Sequence, residues 1–192
     1  MLPQVLLLGD SIRMGYQPLV EEMLRGKAIV SGPEENCQFS FFTLVNLDRW
    51  LREAGKPDIV HWNNGIHDAG HNPYREPEQV PADLYRSGLF LILQRLNKTT
   101  PAVLWATTTP VRPKKSQEPD EWYWTPNDIE FYNNIAIELM AEYNVPVNDL
   151  YEIINQNIEE FLSEDKIHLS EAGKVACARA VVSAIEEKLS VI

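Results

Sequence analysis

Short apolar runs alternate with stretches of helical periodicity along the whole of this chain, and that alternation constrains its fold more than any other feature. Residues 5–8 (Val-Leu-Leu-Leu), 28–30, 58–63, 102–106 and 145–147 read as five strands. Helical patterns fill the intervals near 19–24, 41–54, 82–96 and 127–143, with Phe41, Leu44, Val45, Leu47 and Leu51 marking one apolar face. Asn127 is placed to cap the fourth of these helices. Two more helices are expected near 150–161 and over 170–189, the last capped by Ser170. Parallel strands need crossover connections, so this rhythm demands a parallel sheet with helices on both faces. The expected fold is α/β, a doubly wound sheet of order 2-1-3-4-5.

Nothing in the 192 residues breaks the pattern into parts: there is no internal repeat and no compositional boundary, so one domain over 1–192 is expected. The net charge of −11 argues against a nucleic-acid or anionic-membrane partner, because phosphates would be repelled. Two cysteines, Cys37 and Cys177, are too few for a disulfide framework, and Cys177 reads as a buried hydrophobe. The first apolar run is short and lacks a basic flank, and no stretch reaches the ~20 apolar residues of a membrane span. A soluble, cytoplasmic protein is the expectation.

Gly9-Asp10-Ser11 follows the first strand directly, which puts a serine hydroxyl at the rim of the sheet. Alone, such a serine reads as a helix N-cap. Near the other end, Asp165-Lys166-Ile167-His168 supplies a carboxylate and an imidazole three residues apart. In combination these residues suit nucleophilic catalysis: His168 takes the Ser11 proton, and Asp165 holds the imidazole tautomer and steadies the cation. Asn63-Asn64-Gly65-Ile66-His67-Asp68 follows the third strand. In the 2-1-3-4-5 order, strands one and three are neighbours at the switch point, so Ser11 and His67 flank one crevice.

These motifs resemble the SGNH (GDSL-type) hydrolases, serine esterases and acylhydrolases. Gly9-Asp10-Ser11, a Gly-x-x-Asp segment at 65–68 and Asp165-x-x-His168 carry the resemblance, which spans the chain. It implies a three-layer α/β/α, flavodoxin-like sheet, a Ser11–His168–Asp165 triad, and neither a metal nor an organic cofactor. The family's third motif is normally Gly-x-Asn-Asp, its asparagine reaching the oxyanion hole, whereas here His67 stands at that position. The side-chain donor is therefore His67 or Asn64. The family also offers a glycine N–H after strand two. Gly32 is followed by Pro33-Glu34-Glu35-Asn36-Cys37, so Gly32 or Cys37 is expected to provide it, beside the N–H of Ser11.

Other arrangements compete poorly. No local motif supports Cys37 as nucleophile. His61, His67, Asp68 and His71 include an i, i+4 histidine pair that would suit a metal on a helix, but Gly65, Gly70 and Pro73 oppose a helix there. An α/β-hydrolase needs Gly-x-Ser-x-Gly, which Gly9-Asp10-Ser11-Ile12-Arg13 is not. Two long loops, 68–81 and 107–126, are candidates for binding elements. The second holds Arg112, Lys114, Lys115 and the aromatic run Trp122-Tyr123-Trp124. Trp122 and Trp124 either stack on a sugar ring of the substrate or anchor the loop. The expected function is a serine esterase removing a short, acetyl-type acyl group from a small-molecule or carbohydrate ester. An acyltransferase with the same triad, or an inactive binding module on this fold, is the alternative.

Overall fold

The computed structural model describes residues 1–72, 74, 78–113 and 121–191. Pro73, Lys114 and Lys115, which figured in the reading of the two long loops, lie outside them. Five strands, β1 (Gln4–Leu8), β2 (Ile29–Ser31), β3 (Ile59–Trp62), β4 (Ala102–Ala106) and β5 (Val147–Asn148), form one sheet in the order β2-β1-β3-β4-β5. Every pairing is parallel. The expected order is thus the observed one, although β5 begins two residues later than expected.

Side chains alternate across each strand, so the sheet has two apolar faces. Leu6, Leu8, Val60, Trp62, Val103 and Trp105 point to one side, against α2 (Ser40–Glu53), α3 (Ala82–Thr99) and α4 (Pro126–Glu142). Val5, Leu7, Ile59, Leu104 and Ala106 point to the other, against α1 (Ser11–Met23) and the long final helix, Glu171–Leu189. Between β5 and that helix run two short ones, α5 (Leu150–Asn155) and α6 (Ile158–Phe161), which makes the final helix α7. Residues 150–161 had been expected as one helix. Gln156 closes α5, and Asn157 at φ −145° restarts the chain as α6.

The helix starts set the loops at the sheet's carboxyl edge. Helix α1 begins at Ser11, eight residues before the apolar pattern suggested, and Asp10 is its N-cap through a 2.8 Å bond from the Ile12 N–H. Helix α4 is capped by Thr125 with Pro126 in its first turn, not by Asn127. Ser170 caps α7 as expected, accepting from the Gly173 N–H. Helix α2 has no side-chain cap of its own at Phe39. The Asp68 carboxylate fills that role from the β3–α3 segment: it accepts from the Ser40 N–H at 2.9 Å and the Ser40 hydroxyl at 2.5 Å.

Asp68 is completely buried, and burial pushes its pKa up to about 7 against the bonds from Ser40. A carboxyl whose folded pKa lies above its unfolded value adds stability that is whole below about pH 4 and lost as pH rises through about 7. Wild type should therefore lose stability relative to Asp68→Asn between pH 5 and pH 8. Urea midpoints of the two proteins at both pH values check this, and a constant difference refutes it.

Candidate active site

Leu8 pairs with Trp62 in register, and the Asn63 N–H continues the ladder to Leu8 O. The exits of β1 and β3 therefore lie side by side, with Ser11 leaving one and His67 following the other. Ser11 occupies the first turn of α1, where backbone N–H groups lack helical acceptors and the helix dipole favours negative charge.

The second half of the site is a small closed turn before α7. Leu162 and Leu169 form an antiparallel bridge, and the Ser163 N–H bonds to His168 O at 2.8 Å. Lys166 takes a left-handed φ of 67° at the tip of this turn. The N–H of Arg112 bonds to Lys166 O, tying the turn to the segment after β4. Packing of α7 against α1 then carries this turn to Ser11.

The three residues named from the sequence meet in a line. Ser11 Oγ lies 2.9 Å from His168 Nε2, and His168 Nδ1 lies 2.7 Å from Asp165 Oδ2. The other carboxylate oxygen, Oδ1, accepts from the backbone N–H groups of Ile167 and His168 and from the Ser163 hydroxyl. Burial pulls the Asp165 carboxyl upward, but the Ile167 N–H, the His168 ring, the His168 N–H and Ser163 together hold it well below the usual range. A carboxylate held ionised fixes the proton of neutral His168 on Nδ1, which leaves Nε2 free to take one from Ser11. The arrangement can perform nucleophilic acyl chemistry. Ser163 was not anticipated; it is a carboxylate partner two residues away, visible only once the turn is closed.

The expected oxyanion donors are spread more widely. Asn64 is fully buried, its Nδ2 donating to Gln38 O and Thr43 Oγ1 while its Oδ1 accepts from Trp62 Nε1. Its side chain fastens the core. The Cys37 N–H is spent on Gly9 O at 3.2 Å, and its thiol is buried with its pKa raised by burial. Gly32 packs where no side chain fits: a Cβ would meet Gln17 Oε1 at 2.3 Å and Leu7 O at 2.8 Å. His67 is half-buried at the crevice and interacts electrostatically with Asp10 and His168. Burial holds it below the ordinary histidine pKa, against the pull of Asp10. Asp10 is itself raised, chiefly by burial.

Two residues missed in the sequence shape this side. Arg13 is 3% exposed, and its guanidinium donates to Pro33 O and Glu35 O, each at 3.0 Å, binding the β2–α2 segment to α1. Asn36, in that segment, places its Nδ2 3.5 Å from His67 Nε2. A buried arginine looks like a surface residue in the sequence, and a loop asparagine like a turn former.

His61 and His71 lie apart from one another. His61 lies inside β3 beside Asn148, and burial lowers its pKa to about 4. His71 stacks on Tyr123 and bonds to Asp128 Oδ2 at 2.9 Å. Among the described residues, the one group with converging ligand atoms is His71, Glu78 and Asp128, within 4.8 Å of one another. It sits at the positive end of α4, which opposes a cation.

Trp122 and Trp124 both anchor the loop and line a space. Trp124 Nε1 donates to Ile66 O, and the two indoles stack with centroids 6.3 Å apart. Together with Val111, Arg112, Tyr123 and Ile167 they line an open cavity of about 210 Å³. Ile167 belongs to the Asp165–His168 turn, so this cavity adjoins the triad. No helix among the described residues is long and apolar enough to cross a membrane.

Known proteins share this fold. Residues 7–176 match the model of the GDSL-like lipase/acylhydrolase family. A lipase/acylhydrolase from Enterococcus faecalis superposes with a TM-score of 0.82 at 21% identity, covering 97% of each chain. The acetyl xylan esterase AlAXEase gives 0.74 at 24%, covering 94% of this chain and 98% of its own. An acetylxylan esterase from Geobacillus stearothermophilus gives 0.74 at 17%, covering 94% and 93%. No match is found among curated proteins. With its α/β sheet of order 2-1-3-4-5 and its motifs at both ends and in the middle, the chain belongs to the GDSL-like lipase/acylhydrolase, or SGNH hydrolase, family.

Proposed function

We propose that this protein is a serine esterase that removes a short acyl group, acetyl above all, from a hydroxyl of a carbohydrate or similar small alcohol. The observation that carries the proposal is the Ser11–His168–Asp165 line, with its 2.9 and 2.7 Å links. Ser11 Oγ bonds to the ester carbonyl carbon as its proton passes to His168 Nε2 and the carbonyl π pair moves onto oxygen. The oxyanion forms at the N-terminus of α1, where the Ser11 N–H receives it. Collapse restores the carbonyl and breaks the bond to the alcohol oxygen, which takes the proton from His168. Water then attacks the acyl-enzyme with His168 as base, releasing the acid and regenerating Ser11. Asp165 stays ionised throughout.

The adjoining cavity supports the substrate class. Its aromatic walls suit the faces of a sugar ring, and about 210 Å³ is below the range of pockets for drug-sized ligands. A long acyl chain would need a larger apolar surface than Val111, Trp122, Trp124 and Ile167 present. Two of the similar structures are acetyl xylan esterases, which agrees with an acetylated sugar as substrate.

Hydrolysis of p-nitrophenyl acetate, butyrate and octanoate tests the reading. Acetate should be the best substrate, Ser11→Ala should be inactive, and Asp165→Asn should retain about 10⁻⁴ of wild-type kcat. Equal inertness of wild type and Ser11→Ala on all three esters overturns it. Trp122→Ala should raise KM for an acetylated xylo-oligosaccharide severalfold while leaving p-nitrophenyl acetate nearly untouched. An equal effect on both substrates removes the sugar-stacking role.

A further inference from the structure

An asparagine stands beside His67, the residue that replaces the family's oxyanion-hole asparagine. Asn36 lies half-buried in the segment between β2 and α2, and that segment is fixed against the Ser11 turn from several directions. Arg13 holds its carbonyls at Pro33 and Glu35, and the Cys37 N–H bonds to Gly9 O. Asn36 is therefore held at the same crevice rim as Ser11, by bonds present without substrate.

The orientation of its amide follows from chemistry. Asn36 Oδ1 accepts from the Gln38 N–H at 2.7 Å, closing a turn in which Gln38 takes a left-handed φ of 49°. Only oxygen can accept there, so the group 3.5 Å from His67 Nε2 is the NH₂. An NH₂ has only protons to give, which makes His67 Nε2 the acceptor and places the proton of neutral His67 on Nδ1. In that tautomer Nε2 has no hydrogen for an oxyanion. Asn36 Nδ2 carries two hydrogens: one serves the long contact to His67, and the other has no partner among the described residues.

Resting on the esterase reading, we propose that Asn36 supplies the side-chain N–H of the oxyanion hole, and that His67 is the positioning residue that holds its amide. The donor would have moved from the β3 exit to the segment after β2, with the crevice between them unchanged. The second hydrogen of Nδ2 can meet a developing negative charge while the bond from Gln38 to Oδ1 and the contact to His67 stay in place.

The test uses Asn36→Asp, which keeps the oxygen that accepts from Gln38 and replaces the donor with an acceptor, and Asn36→Ala beside it. Against p-nitrophenyl acetate, kcat should fall about 10²–10³-fold in both, with KM changed less than threefold. Binding of a boronic acid, which forms a tetrahedral adduct on Ser11, should weaken in parallel while the thermal midpoint of Asn36→Ala stays within a few degrees of wild type. If wild type is active and both variants keep kcat within threefold, Asn36 is not the donor and the esterase reading stands. A loss of kcat with unchanged boronate affinity likewise overturns the donor role. If wild type is as inert as Ser11→Ala, both readings fall together.

Discussion

The parallel pairing of β1 with β3 is the constraint on which the rest of this molecule depends. It sets Leu8 beside Trp62 and so brings the loops that follow these two residues, 54 positions apart, to one crevice. The alternation of side chains along these two strands then commits Leu6, Leu8, Val60 and Trp62 to one core and Val5, Leu7 and Ile59 to the other. A one-residue slip would exchange the faces and bury the wrong side chains, so the same hydrophobic pattern that folds the sheet also aligns the site.

Polar interactions at the carboxyl edge divide into two kinds. Asp68, Asn64 and Arg13 are buried, fully bonded and turned inward, where they hold the ends of α2, β3 and the β2–α2 segment. Ser11, His168 and Asp165 form a chain that ends on the half-buried Ser11 hydroxyl. Burying Asp68 and Arg13 is costly, and each is retained with several hydrogen-bond partners, as buried charge requires. Their partners lie on the very segments that border the crevice, which is how a site made of loops becomes rigid enough for chemistry.

Much of this was legible in the sequence. Five strands follow from hydrophobic pattern, their order from the doubly wound topology that the family resemblance implies, and Ser11, Asp165 and His168 from the motifs that carry that resemblance. The early start of α1 was hidden because Arg13, Gly15, Gln17 and Pro18 interrupt its apolar face of Ile12, Tyr16 and Val20. The break between α5 and α6 carries no proline or glycine to announce it. The environment of residues 33–38 was illegible for a different reason. Its conformation is imposed by a guanidinium from α1 and by the exit of β1, and no local composition encodes partners so far along the chain. For the same reason Asn64 and His67 looked equivalent as donors, although one is locked into the core and the other opens on the crevice.

The hydrogen bond between Ser11 and His168 joins positions 157 residues apart, and it forms only when α7 packs on α1. The Asp165–His168 turn is synthesised long after Ser11 and reaches it only through the tertiary fold. A stall between the two leaves Ser11 without the imidazole it meets in the fold. The pairing of Ser11 with His168 thus reports on packing across the whole sheet, and no short fragment of the chain can reproduce it.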